Sequence, residues 1–147
     1  MNKELVLSKL EELGFSLEEV GECGYIFKYE EIAVLYMTDD DDENFLRFGL
    51  PNVFDVTEEN RPFVLEIVNA TNKNIKYSKT CVCGEDVWIF YEHRIFGNEK
   101  LEDVIEHCLL LLQATYYLFY RKIEGDDSLP CDDEKNGEEN DERKEDE

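Results

Sequence analysis

Apolar and polar positions alternate along this chain in blocks of changing period, and each change of period marks an element. Leu5, Val6, Lys9, Leu10 and Leu13 recur at helical spacing with Gly14 just behind them, so Asn2 to Leu13 is predicted to be a helix ending at a glycine. Three runs rich in aromatic and β-branched residues follow, Tyr25 to Tyr29, Ile32 to Met37 and Phe45 to Leu50. Glu30-Glu31 and the acidic stretch Asp39 to Asn44 separate them, as expected of an antiparallel meander. The first of these connections carries neither glycine nor asparagine, so its turn type is not predicted.

A second helix is expected from Asn60, a good N-cap, through Pro62 in its first turn to Asn72; Phe63, Val64, Ile67, Val68 and Thr71 form its apolar stripe. Ile75 to Cys83 and Asp86 to Phe96 read as a hairpin around Gly84. Val87, Ile89 and Tyr91 take one face, Trp88 and Phe90 the other, and both faces are expected to be covered. A last helix, Lys100 to Ile123, carries Leu101, Val104, Ile105, Cys108, Leu111, Leu112, Thr115, Leu118 and Phe119 on a main stripe. Leu109, Leu110, Tyr116, Tyr117 and Tyr120 fall outside that stripe, more apolar surface than one sheet contact needs. The order helix, three strands, helix, two strands, helix lacks a βα alternation. It predicts an α+β domain over residues 1–123, a five-stranded antiparallel sheet with three helices.

One segment carries a resemblance. Val68-Asn69-Ala70-Thr71-Asn72, with two asparagines three apart at a helix end, is followed by a strand pair, a loop with Gly97-Asn98 and a long helix. This arrangement resembles the YbjN family and the wider fold of type III secretion chaperones. The resemblance covers residues 1–123 by order of elements. It implies an antiparallel sheet with helices packed on it, no catalytic residues, a bacterial cytoplasmic setting and, from the secretion chaperones, dimers that hold an extended client segment. The chain departs from the common pattern in its Glu30-Glu31 turn and in its acidic tail.

The charge changes the picture of partners. The 147 residues hold 37 acidic and 15 basic side chains, a formal charge of −22. A field of that sign excludes a nucleic-acid backbone as a simple electrostatic partner. Glu124 to Glu147 holds 13 acidic and 3 basic residues and no periodic apolar pattern, so a disordered tail is expected there. No apolar run approaches the length that spans a bilayer, and the polar start Met1-Asn2-Lys3-Glu4 has no secretory h-region, so a cytoplasmic protein without a membrane partner is expected.

Candidate chemistry is sparse. Five scattered cysteines in a chain large enough to bury a core are expected to be free thiols. Cys81 and Cys83, two apart on one strand, share a face, but a tetrahedral zinc site would need two more ligands; Cys108, His107 and His93 are candidates, and no CxxC pair or His-x3-His spacing supports them. A disulfide between the two is at the upper limit of bridging distance. Asp39 to Glu43 fails the calcium-loop register and reads as a solvated loop. Neither histidine lies in a nucleophile or triad context, and no phosphate-loop, dinucleotide or hydrolase motif is present. The sequence therefore predicts a non-enzymatic protein-binding or regulatory domain without a cofactor. Its expected partner is a protein client, and Trp88, Phe90, Leu109, Tyr116, Tyr117 and Tyr120 are the aromatic and apolar anchors, with a homodimer through the last helix. Two other readings stand beside it: an acidic nucleic-acid mimic that occupies a basic DNA-binding protein, and a metal or thiol protein using Cys81 and Cys83.

Overall fold

A computed structural model describes residues 3–22 and 24–125 of the chain. Asn2, Cys23, Cys131 and the expected tail beyond Gly125 lie outside the described residues. The elements are α1 (Lys3–Glu12), β1 (Glu18–Val20), β2 (Gly24–Tyr29), β3 (Ile32–Met37), β4 (Phe45–Asp55), α2 (Arg61–Asn72), β5 (Ser78–Cys83), β6 (Asp86–Arg94) and α3 (Leu101–Ile123). The strands form one antiparallel sheet in the order β1-β2-β3-β4-β6-β5.

The sheet has six strands where the sequence predicts five. The additional one, β1, is three residues of an acidic Glu-Glu-Val on the outer edge, too short and too charged to show a strand pattern. Short charged strands are the usual way to blunt a sheet edge. Strand β4 also runs past the expected end at Leu50. It continues to Asp55 through a register shift between Leu50 and Phe54, with Pro51 and Asn52 (φ +53°) in the irregularity. A proline is tolerated there because the interrupted ladder asks for no N–H.

The α1 ending follows expectation. Gly14 N–H bonds the Glu11 carbonyl and Phe15 N–H bonds Leu10, the double closure of a glycine-ended helix. The α2 start differs in detail. Asn60 occupies the N-cap position with helical φ and ψ and makes no side-chain cap bond. Its amide instead accepts from Thr57 N–H at 2.7 Å and donates to the Asp55 carbonyl at 3.1 Å, tying the β4–α2 connection together.

Alternation along the strands places the core. Phe27, Val34, Tyr36, Leu46, Phe48, Leu50, Val87, Ile89 and Tyr91 are buried on one face, in a single cluster with Val6 and Leu10 of α1, Val64 and Val68 of α2, and Ile105, Leu112 and Phe119 of α3. All three helices contribute to this one layer. The outer edge of β5 is closed by a side chain. Thr80 donates its N–H to Asn72 Oδ1 at 2.8 Å, and Asn72 Nδ2 returns a bond to the Thr80 carbonyl at 3.0 Å. The Thr80 hydroxyl adds a third bond to Asn72 Oδ1 at 3.0 Å. The second asparagine of the sequence pair thus acts as one residue of an extra strand, satisfying the backbone groups that an edge leaves open.

Candidate functional site

Among the described residues, no helix packs on the face of the sheet opposite the core, which is left open. Strand alternation sends Ile26 and Lys28 of β2, Ala33, Leu35 and Met37 of β3, and Phe45, Arg47 and Gly49 of β4 to this side. Lys79, Cys81 and Cys83 of β5 and Trp88, Phe90 and Glu92 of β6 join them. Trp88 and Phe90 are half-buried here, which corrects the expectation that both sides of the hairpin are covered. All three helices pack on the other side of the sheet, so none of the described helices is left to cover this one.

The centre of the open face is aromatic. The Trp88 and Phe90 rings stack with centroids 5.6 Å apart at an interplanar angle of 16°. Phe90 is in register with Gly49, and a side chain at that position would meet Phe90 Cδ1 and Met37 Sδ at 3.3 Å, so the glycine lets both lie down on the backbone. The Arg47 guanidinium stands 5.1 Å from the Phe45 ring and 5.6 Å from that of Phe90. Arg47 Nε also donates to Glu92 Oε2 at 2.9 Å, and Lys79 Nζ reaches Glu92 Oε1 at 2.9 Å. Burial alone would raise the Glu92 carboxyl, but the Lys79 ammonium and the Arg47 guanidinium outweigh it and hold the group below the ordinary carboxylate range. Beside this network the Cys81 and Cys83 sulfurs lie 3.7 Å apart. Burial, followed by the neighbouring Cys83, pushes the Cys81 thiol up to about 11.

The remaining expected anchors lie on α3, on the other side of the sheet. Leu109 is 2% exposed and belongs to the core, so it offers a partner almost no free surface. Tyr116 and Tyr120 pack against that core with ring centroids 5.0 Å apart. The Tyr120 hydroxyl bonds the Val53 carbonyl, and its ring meets Phe54, so this tyrosine fastens the irregular part of β4. Tyr117, at 51%, and Leu110, at 57%, are the exposed pair on the helix. Leu110 also borders a shallow groove of about 270 Å³ with Leu13, Phe15, Tyr29, Glu106 and Leu109. The six expected residues therefore divide between two faces, and only Trp88 and Phe90 are brought together on the open one. Sequence reasoning missed Arg47, Gly49, Lys79 and Glu92. The signal for them is the pairing of β4 with β6, a long-range contact that no local pattern encodes.

The other candidate groups serve the fold. Asp39 Oδ1 accepts from Asp41 N–H at 3.0 Å, closing the acidic turn on itself. His107 Nδ1 is 3.2 Å from the buried Tyr91 hydroxyl, and His93 Nε2 is 3.6 Å from Glu99 Oε2. Both imidazoles neighbour the Tyr91 ring, His93 stacked with centroids 6.3 Å apart and His107 edge-on at 6.0 Å. Among the described residues no group of three or more His, Cys, Asp or Glu side chains could hold a metal ion, and no helix is long and apolar enough to cross a membrane.

No protein-family model matches the chain, and no curated protein matches it at a significant level. Solved structures do. The fold is similar to that of YbjN from E. coli, proposed to be a transcription regulator, with a TM-score of 0.66 over 85% of this chain and 94% of that one, at 10% sequence identity. The chain has a YbjN-like fold. The expected resemblance is therefore correct at the level of architecture, an α+β domain of three helices on an antiparallel sheet.

Proposed function

We propose that the chain is a non-enzymatic protein-binding domain whose open sheet face takes an apolar segment of a partner protein flanked by basic residues. One observation carries this reading: the stacked, partly exposed Trp88 and Phe90 occupy a face that no helix among the described residues covers. Large aromatic side chains left partly in water on a flat apolar surface are the usual centre of a protein interface. The local charge on this face is nearly balanced, Lys28, Arg47, Lys79 and Arg94 standing against Glu18, Asp86 and Glu92, so the aromatic centre supplies the binding. The wider field of a chain with formal charge −22 draws basic partners toward it. A regulatory role for YbjN from E. coli agrees with a binding domain in broad class.

The acidic-mimic reading is less well supported. Carboxylates at Glu11-Glu12, Glu18-Glu19, Glu30-Glu31, Asp39–Glu43 and Glu58-Glu59 are scattered among turns and ends, whereas a phosphate lattice asks for rows on one face. A second copy of the chain would meet it at Leu110 and Tyr117 on α3. Light scattering of the full chain then gives a dimer mass that falls to the monomer in Tyr117→Asp, and a monomeric wild type refutes that contact.

The test of the main reading is calorimetric titration with a synthetic decapeptide of alternating lysine and valine. Binding that persists in 0.5 M salt, at ~3 Å of screening length or a little more, and weakens at least ~30-fold in Trp88→Ala/Phe90→Ala supports it. Binding that disappears with salt, or survives the double substitution, refutes it.

A further inference from the structure

We propose that Cys81 and Cys83 are a reversible thiol–disulfide pair, oxidised by low-molecular-weight disulfides and opened again by thiols. The inference stands on the geometry of β5 and is independent of any docking partner. The two sulfurs are already 3.7 Å apart, in contact, on the exposed side of one strand. A bond of about 2.05 Å asks them to approach by roughly another 1.6 Å, and residues two apart on a strand have Cα atoms near the upper end of the bridging range.

The local structure supplies that movement. β5 is an edge strand that pairs with β6; on its outer side the Asn72 side chain holds it at Thr80, and among the described residues no further strand pairs with its Cys83 end. Cys83 is its last residue and leads into Gly84, which has φ +68° and open space around it. The Cys83 end is thus where β5 can pucker toward Cys81, against its pairing with Asp86 and the bond from Arg61 to the Gly84 carbonyl. Cys108, by contrast, is 0% exposed in the core and has no thiol neighbour among the described residues.

The two thiols are unequal, which sets the order of events. Cys83 is exposed, whereas Cys81 is half-buried in register with Trp88. Cys83 reacts first: its thiolate attacks one sulfur of the disulfide RSSR, the S–S bond of RSSR breaks, and one RS⁻ leaves with the bonding pair. Cys81 then gives its proton to water and attacks the Cys83 sulfur, forming the intrachain bond and expelling the second RS⁻. The protein loses two electrons and two protons, and RSSR becomes two RSH. A bridge formed at the limit of acceptable geometry stores strain and is readily reduced, the character of a regulatory disulfide. It also moves the sulfur opposite Trp88, so the oxidation state is written into the aromatic centre.

The experiment uses the full chain with Cys23→Ser and Cys131→Ser, equilibrated with oxidised glutathione, alkylated in denaturant and digested with trypsin. The fragment 80–94 contains both cysteines and Trp88, the single tryptophan of the chain. The expected product is that fragment without alkylation, two hydrogens lighter than the reduced form and restored by dithiothreitol. Cys81→Ser stops at a glutathione adduct on Cys83, and Cys83→Ser reacts about 10-fold more slowly than the parent. A fragment carrying two alkylated cysteines or two glutathione adducts overturns the proposal, as does a Cys83→Ser chain that reacts as fast as the parent.

Discussion

Asn72 is worth more to this fold than its exposed position on a helix end suggests, and Asn72→Ala measures how much. Its side chain makes three bonds to Thr80, one to the carbonyl, one from the N–H and one from the hydroxyl. A typical hydrogen bond contributes about 1 kcal/mol net, and a buried donor left without a partner costs about 1–3 kcal/mol. Thr80 is 2% exposed, so water replaces the lost partner poorly, and its hydroxyl retains only the longer bond to the Val68 carbonyl at 3.3 Å. Alanine returns a few tenths of a kcal/mol in helix propensity at this last helical position. The balance is a loss of about 2 kcal/mol, a fall of roughly 6–10 °C in Tm for a domain of this size. The assay is thermal unfolding by circular dichroism with a urea titration beside it. Asn69→Ala, three residues earlier and exposed, is the control and stays within about 0.5 kcal/mol. Opening the β5 backbone also makes Asn72→Ala more prone to associate as its concentration rises. Equal and small losses at the two asparagines would refute the claim that one of them completes the sheet.

Neighbouring leucines on α3 separate core from surface: Leu109→Ala costs about 2–5 kcal/mol in urea unfolding and Leu110→Ala under about 0.5, because the first is 2% exposed and the second 57%. Reversed magnitudes would place the helix in the wrong rotation. Glu92 gives an acid dependence. Its folded carboxyl is held below the ordinary value by Lys79 and Arg47, so its stabilisation is complete above about pH 4.3 and is lost as pH falls through the lowered value. Glu92→Gln therefore costs up to about 1 kcal/mol at neutral pH and flattens the stability profile below about pH 4; an unchanged acid limb would show that the network is silent.

The helices and most strands were legible because burial on one face imposes a period, and Val64, Val68, Ile105 and Leu112 obey it. What escaped the sequence has local causes of a different kind. Glu30 and Glu31 close the β2–β3 turn with φ of +47° and +74°, a left-handed conformation that glutamate adopts only because the flanking strands hold it there. Tyr77, at φ +71°, delays β5 to Ser78, three residues after the expected start at Ile75. Leu109 falls outside the α3 stripe that one sheet contact needs, yet α1 also packs on that helix, with Lys9 Nζ reaching Glu102 Oε2 at 3.4 Å. The open face was half legible: the alternation of Trp88 and Phe90 against Ile89 and Tyr91 is in the sequence, and the supply of helices to only one side is a property of the whole fold.

Collisional quenching of Trp88 tests the central claim most directly, since the chain has no other tryptophan. With acrylamide as quencher, the free full-length chain should give a partly accessible fluorophore, and saturating lysine–valine decapeptide should cut the quenching constant several-fold while shifting emission to the blue. An unchanged quenching constant at a peptide concentration where calorimetry shows full binding would mean that the partner meets some other surface.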